Sequence, residues 1–499
     1  MTTGGMDAAE ILRQTGRAEV HEEFTDRVST QAERLREQFD AGRFEGRFRI
    51  GLELEGVTVD GDSRMTAAPA EAFDAVCERE LGRHNVELHT PATAFDPTGI
   101  EAQVDILAGR VGRVRRGLED TGCRFVTDGL WAIAPSTGTD RYLRATRETT
   151  GVTVPANMSP TARYYALDAD ITATGPVELD LPGCRRAFPS ILVESLATSM
   201  QIHLQTPFEA FPRYFNVALR TVGPVLALAV NAPVLPPDLY GTDGEPDPGV
   251  VLDGAAELRV PVFESLNVET PGKVRFPRDI DEPSDVLDRL VDDRRCAPHL
   301  QEWLDDGPQA GFAGRHWELL HKQSTYWRWV RPVLGPGGPR IEYRPLPAQP
   351  CVADVVAFQA LVVGLVHGVV VSGHPLRELP RAAAEESLYA AVENGLDADL
   401  RWVARNGEHT TDTDRIYTEV FDLARRGLTD RGLAADRIDR LLAPVERRWT
   451  AGTTPAAWKR RRVRDRLDAG TDISTAVNEM QREYRRRAAE ADTFADWPG

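Results

Sequence analysis

The sequence predicts an α+β fold in which a largely antiparallel, curved sheet lines an active site and helices cover its outer face. Five separate stretches alternate aliphatic residues with carboxylate, imidazole, amide or guanidinium groups. They are Gly51-Leu52-Glu53-Leu54-Glu55, Asn85-Val86-Glu87-Leu88-His89, Gln201-Ile202-His203-Leu204-Gln205, Glu257-Leu258-Arg259-Val260 and Ile341-Glu342-Tyr343-Arg344. Successive side chains on a strand point to opposite faces, so each stretch reads as a strand with one oily face and one polar face. Helical runs lie between these stretches, and from about Arg381 helical periodicity replaces the strand signal to the end of the chain. The oily strand faces need a cover, which the helices supply.

Alternation alone is what any half-exposed antiparallel strand shows. The polar residue types set these five apart. Solvated strand faces favour Thr, Ser and Lys, whereas these stretches hold Glu, His, Gln, Asn and Arg almost exclusively. Glu53 and Glu55, two apart on one strand, repel each other unless a cation or an arginine lies between them. A divalent metal ion is the economical partner.

Taken in order, residues 1–45 read as an N-terminal helical extension with an amphipathic run from Phe24 to Phe39. Residues 46–380 read as the catalytic core, with helical runs at Pro69–Leu81 and Glu101–Thr121, an apolar core segment from Pro224 to Pro236 and an exposed loop from Pro236 to Gly249. Gly335-Pro336-Gly337-Gly338-Pro339 joins Tyr326–Val333 to Arg340–Arg344 as a hairpin, and Trp327 and Trp329, alternate on one strand, are expected to pack on the core. Val355–Gly373 has no charged residue and approaches the length of a membrane span. Its Gln359 and His367, and a start after Ala353-Asp354, make it a buried core helix. Residues 381–499 form a helical C-terminal region. Its basic clusters at 459–462 and 485–487 sit among acidic residues and read as a solvated helix face.

The formal charge of −18 repels polyanions, which argues against nucleic acid or an anionic membrane as partner. Lysine occurs only at Lys273, Lys322 and Lys459, and an acidic, Lys-poor surface suggests solubility in high salt. The five cysteines are widely spaced with no C-x-x-C pair, as expected of idle thiols in a reducing compartment. Without an apolar signal region in the first residues, a cytoplasmic location is expected.

The sequence has no P-loop, no G-x-G-x-x-G opening a helix, no G-x-S-x-G and no H-E-x-x-H. Any use of ATP then falls to carboxylate-held metal ions and arginines. At this point the motifs resemble the carboxylate-amine ligases of the second glutamate-cysteine ligase type, related in fold to glutamine synthetase. The likeness begins at Gly51-Leu-Glu-Leu-Glu55 and Asn85-Val-Glu87. It continues through Ser199-Met-Gln201-Ile-His203, Asn216-x-Ala-Leu-Arg220, Pro224-Val-Leu-Ala-Leu228 and Asn231-Ala-Pro233. Trp327-Arg-Trp-Val-Arg331-Pro332, Ile341-Glu342-Tyr-Arg344, Ala348-Gln349-Pro350 and Glu393-Asn394 complete an ordered set from about residue 48 to 410.

The resemblance implies a reaction in which a glutamate-like carboxylate takes the γ-phosphoryl group of ATP and an amine, with cysteine the first to test, displaces phosphate. It implies Glu53, Glu55, Glu87, His203 and Glu342 as ligands of Mg²⁺ or Mn²⁺. It also implies Arg259, Arg344 and, less directly, Arg331 as phosphate or carboxylate clamps, with Asn394 and Arg405 in a segment that closes over the nucleotide site. Each residue has a plainer reading: Glu342 and Arg344 as a cross-strand ion pair, Arg331 as a surface residue, His203 as a core histidine. The chain departs from the family at Gly56, where members often carry an aromatic, and at Gln201, where many have histidine. Competing functions are a metal-dependent hydrolase of a phosphate ester or amide, and a non-catalytic metabolite-binding relative. Small-molecule substrates are the expected partners, and a homo-oligomer is left open.

Overall fold

The computed structural model describes residues 7–44, 46–73, 77–241, 246–304 and 307–497. The ends and residue 45 of the expected terminal regions, residues 74–76 of the Pro69–Leu81 run and residues 242–245 of the Pro236–Gly249 loop lie outside the described residues.

The main sheet is built from β1 (Arg49–Val59), β2 (Cys77–Arg79), β3 (Asn85–His89), β4 (Thr93–Ala94), β5 (Arg124–Val126), β6 (Met200–Gln205), β7 (Val330–Gly335) and β8 (Gly338–Tyr343). Their order is β7-β8-β6-β1-β3-β2, with β4 and β5 pairing along β1, and every pair is antiparallel. Leu52, Leu54, Val86, Leu88, Ile202, Leu204 and Ile341 share one face and are no more than 2% exposed. Burying each such side chain contributes about 1.5–3 kcal/mol.

Helices cover that face. The N-terminal α1 (Ala18–Asp40) instead packs beside the core on the helix Trp317–Ser324, tied by Gln31 Nε2 donating to Glu318 at 2.6 Å. Helices α2 (Pro97–Gly117), α3 (Phe211–Ala229) and α4 (Val352–Ser372) lie behind the sheet. Asp96 caps α2 by accepting from Gly99 N at 2.8 Å, and Pro97 in the first turn is preset for helix. That cap starts the helix four residues before Glu101. Helix α4 has the length and hydropathy of a membrane span, yet 89% of its most apolar window is buried inside the protein. It lies almost backbone to backbone on α5 (Thr413–Asp430): a Cβ on Gly368 would stand 1.9 Å from Leu423 O, and one on Gly427 2.0 Å from Gly364 O. Glycine is required at this crossing.

Four expectations change. Glu257–Val260 is not a strand: Glu257 N donates to Val392 O at 3.0 Å, and the chain turns into a short helix, Arg259–Glu264. Pro261 cannot donate to a ladder but is at home in a first helical turn. The Pro69–Leu81 run holds one 3₁₀ turn, Ala70–Ala72, and then β2, because pairing of Cys77–Arg79 with β3 overrides helical propensity. Strand β7 begins only at Val330, so the two tryptophans precede it. Trp329 packs in the core with its Nε1 donating to Glu264, while Trp327 reaches a cavity wall. Finally, Lys459 is not on a solvated face. It is 1% exposed and donates to Asp128 Oδ1 at 2.5 Å and Asn231 O at 2.7 Å.

Candidate active site

Register decides which polar side chains meet. Glu53 lies opposite Gln201 on β6 and His89 on β3, Glu55 lies opposite Glu87, and His203 lies opposite Glu342. Arg331 on β7 lies opposite Glu342 in turn. The period-2 pattern of each strand therefore becomes one polar surface across five neighbouring strands.

Glu53 is its centre. With His203 and Glu342, and separately with His89 and Glu87, it forms two groups whose potential ligand atoms lie within 4.8 Å of one another. Glu53 Oε1 is 3.2 Å from His203 Nε2 and 3.7 Å from His89 Nδ1, and His89 Nε2 is 3.4 Å from Glu87 Oε2. Both Nε2 atoms are buried without a hydrogen-bond partner. An orphaned imidazole nitrogen beside carboxylates fits a divalent ion. The His89 group is the readier of the two. Arg340 Nε donates to His203 Nδ1 at 2.8 Å, which puts the neutral ring's proton on Nε2, and ligation there requires that arrangement to be given up.

The charges are unevenly matched. Burial acts to raise the Glu53 carboxyl, but His203 and His89 outweigh it and hold it well below the usual range. Burial likewise opposes ionisation of Glu342, but Arg331 and Arg344 bring it down to about 2. Glu87 is pushed well above the usual range by burial and then by Glu80, Glu53 and Glu55. Glu55 is pushed up to about 7 by burial and Glu80, and Glu194 to about 8 by burial and Glu55. Five carboxylates, Glu53, Glu55, Glu80, Glu87 and Glu194, face one cavity of 210 Å³ with Arg163, Arg331 and Arg344. Added cations would favour the ionised form of carboxyls crowded and buried in this way.

Arg331 Nε donates to Glu342 Oε1 at 2.7 Å across the β7–β8 pair, and Arg344 Nη1 donates to the same oxygen at 2.5 Å along β8. The cross-strand ion pair of Glu342 is thus made by Arg331. Arg344 keeps its buried Nε without a partner at the cavity. Gln201 bridges rather than offering a free ligand oxygen, its Oε1 accepting from Arg344 at 2.5 Å and its Nε2 donating to Glu55 at 2.9 Å. Ser199 N and Oγ also donate to Glu55, at 2.7 and 3.0 Å. Gly56 follows from packing, since a Cβ there would lie 2.5 Å from the Phe125 ring.

Three other predicted residues stand apart. Arg259, 3% exposed, is behind the cavity wall, donating Nη2 to Pro345 O with Nε 3.5 Å from Glu257 Oε1. Asn394 is exposed at the end of the helix Arg381–Asn394, and Arg405 is exposed beside Asp422 at 3.8 Å. None of the three lines the cavity.

Residues not singled out from sequence complete the site. His89 belongs to the same alternation as Glu87 and was legible from it. Glu80, Arg163, Tyr164 and Glu194 come from a loop, a helix and a 3₁₀ segment, where no periodic signal marks them. A second, 160 Å³ cavity meets the first at Glu53 and is lined by Arg49, His89, His203, Gln205 and Arg340 among others.

The model of the glutamate-cysteine ligase family 2 (GCS2) matches residues 49–491. Among solved structures, a bifunctional glutathione synthetase from Pasteurella multocida is 14% identical with a TM-score of 0.53, over 90% of this chain and 53% of that one. A glutamate–cysteine ligase from Francisella tularensis in complex with AMP is 10% identical with a TM-score of 0.51, over 90% of each chain. The chain therefore spans about half the length of the bifunctional enzyme. At these identities the likeness is one of fold. No curated protein sequence matches the chain.

Proposed function

The chain belongs to glutamate-cysteine ligase family 2, and from that premise we propose that it is an ATP-dependent carboxylate-amine ligase. In this reading it activates the γ-carboxylate of glutamate, or a similar acid, as an acyl phosphate and joins it to an amine such as cysteine. The observation that carries the proposal is the meeting of two cavities at Glu53, the residue common to both ligand groups. The cavity with Arg344, Glu55 and Glu194 takes the acid and the amine. The cavity with Arg49 and Arg340 takes the triphosphate. The phosphoryl group passes between them at Glu53.

Glu53 with His89 and Glu87, and Glu53 with His203 and Glu342, would hold Mg²⁺ or Mn²⁺. Ions so held supply charge neutralisation on the triphosphate. The chain's own groups do the rest. Arg344 offers its free Nε to the acid, and Arg331 holds Glu342 ionised and adds positive charge where the phosphoryl group transfers. Glu194, with its carboxyl near 8, suits a base that takes the proton from the attacking ammonium. Trp327, Phe263 and Leu266 in the same wall keep water from the activated acid. Arg259 acts at one remove, through the wall it supports. The finer reading extends to a cytoplasmic location and to an acidic surface adapted to high salt, supported by the −18 charge and the scarcity of lysine.

Stoichiometric ADP and phosphate are expected when glutamate and the right member of an amine panel are supplied with ATP and Mg²⁺. AMP and pyrophosphate as products would mean an adenylate. Phosphate release with no amide formed would favour the hydrolase.

A further inference from the structure

Trp327 lines the catalytic cavity, and Tyr326 and Arg328 on either side of it line another, of 530 Å³. The rest of this cavity comes from the 271–278 segment, the residues at and after the helix Asp285–Val291, and the first turn of the helix Arg381–Asn394. Seven basic and three acidic side chains line it, in a chain whose formal charge is −18. Against that background a positive cavity stands out.

Internal pairing neutralises only part of it. Asp293 accepts from Lys273 Nζ at 2.8 Å and Arg328 Nη2 at 2.7 Å, and Glu385 pairs with Arg381 at 2.8 Å. Arg289 gives its Nη atoms to the main-chain oxygens of Arg278 and Asp279, which satisfies hydrogen bonding but not charge. Among the described residues, no ion pair engages Arg275, Arg278 or Arg294. Arg275 is half-buried, and burial and then Arg328 push it below the usual arginine range. Guanidinium groups that outnumber the carboxylates beside them are stabilised by an added anion, and their planar forks suit phosphate oxygens.

We propose that this cavity is a second ligand site that binds the oligophosphate group of a small anion, without a metal ion. Several uncompensated guanidiniums around 530 Å³ call for more oxygens than one phosphate offers, and the volume is that of a small-molecule site. A nucleic acid would meet the acidic surface beyond the cavity. The site does not rest on the ligase reading, because its test reads binding alone.

The test is calorimetric titration of the full chain, in EDTA and moderate salt, with tripolyphosphate and with orthophosphate. Tripolyphosphate is expected to bind more tightly than orthophosphate. Arg275→Ala/Arg278→Ala should weaken tripolyphosphate at least about tenfold, while Arg185→Ala, at an exposed arginine that lines none of these cavities, should leave it unchanged. If the double variant does not fold, Arg278→Glu/Arg294→Glu, at two exposed positions, must show the same loss. No binding by the wild type, unchanged binding in the cavity variants, an equal loss in Arg185→Ala, or equal affinity for the two probes would each overturn the proposal.

Discussion

Two buried clusters of charge in this molecule are built on opposite plans. Beneath the C-terminal helices Pro455–Asp468 and Ile473–Glu490, the chain itself supplies Asp128 with its partners. Oδ1 accepts from Lys459 at 2.5 Å and Gly129 N at 2.7 Å, and Oδ2 accepts from Gln481 at 2.6 Å. On the polar face of the sheet the carboxylates outnumber their cations, two imidazole nitrogens have no hydrogen-bond partner, and burial together with neighbouring acids pushes the Glu87 carboxyl well above the usual range. Charge completed from within serves the fold. Charge left incomplete at a cavity is kept for something that binds.

The largest expected effect tests the incomplete cluster. Glu53→Gln removes the carboxylate shared by both ligand groups and should lower ligase turnover by at least about a hundredfold, on the scale of lost metal-site and charge-stabilising contacts, with the fold retained. Near-normal turnover in a steady-state ADP-release assay would break the contrast. Next in size is Lys459→Met, which strands Asp128 and should cost about 3–5 kcal/mol in denaturant unfolding while leaving turnover per folded molecule unchanged. A stable variant with poor turnover would reverse the two roles.

A smaller effect concerns pH in metal-free protein. Glu55 near 7 and Glu194 near 8 keep their protons in the folded chain where the unfolded chain, at about 4.5, has lost them, so stability falls as pH rises between 4.5 and 8. His89 has the same sign. Burial opposes its charge, but the nearby carboxylates of Glu53 and Glu78 raise it from 6.5 to about 10, so its contribution is full below 6.5 and is lost as pH rises through 10. Glu342, near 2, gives a contribution present above 4.5 that is lost as pH falls toward 2. Thermal unfolding should therefore show a maximum near pH 5 and a decline toward pH 9 that Mg²⁺ reduces. The decline should be shallower in Glu55→Gln/Glu194→Gln, and an equal decline in that variant would assign the pH dependence elsewhere.

The smallest effect is diffuse. With 77 acidic against 59 basic residues, the unfolding midpoint should rise by a few degrees from low to molar KCl as counterions screen self-repulsion. A flat midpoint would remove the salt reading. Neither cluster would be touched by that result.

What could be read from the sequence was local. Alternation at Glu53, Glu87, His203 and Glu342 places these residues on strand faces because a strand has period 2 wherever it sits, and the same rule held His89 within reach. Helix α4 was legible as core from its two polar residues, although it starts at Val352, with Asp354 inside its first turn and no side-chain cap, rather than after Asp354, and the β7–β8 hairpin was legible from its Pro-Gly turn. Tertiary structure alone decided which strands became neighbours, and so made Glu53 the residue shared by two ligand groups. It turned Glu257–Val260 out of the sheet at Pro261, took Arg259 behind the wall, left Asn394 and Arg405 on the surface, and buried Lys459 against Asp128, 331 residues away in sequence. A side chain's face follows from its neighbours in the chain, but its partner depends on packing between distant segments, which no local pattern encodes.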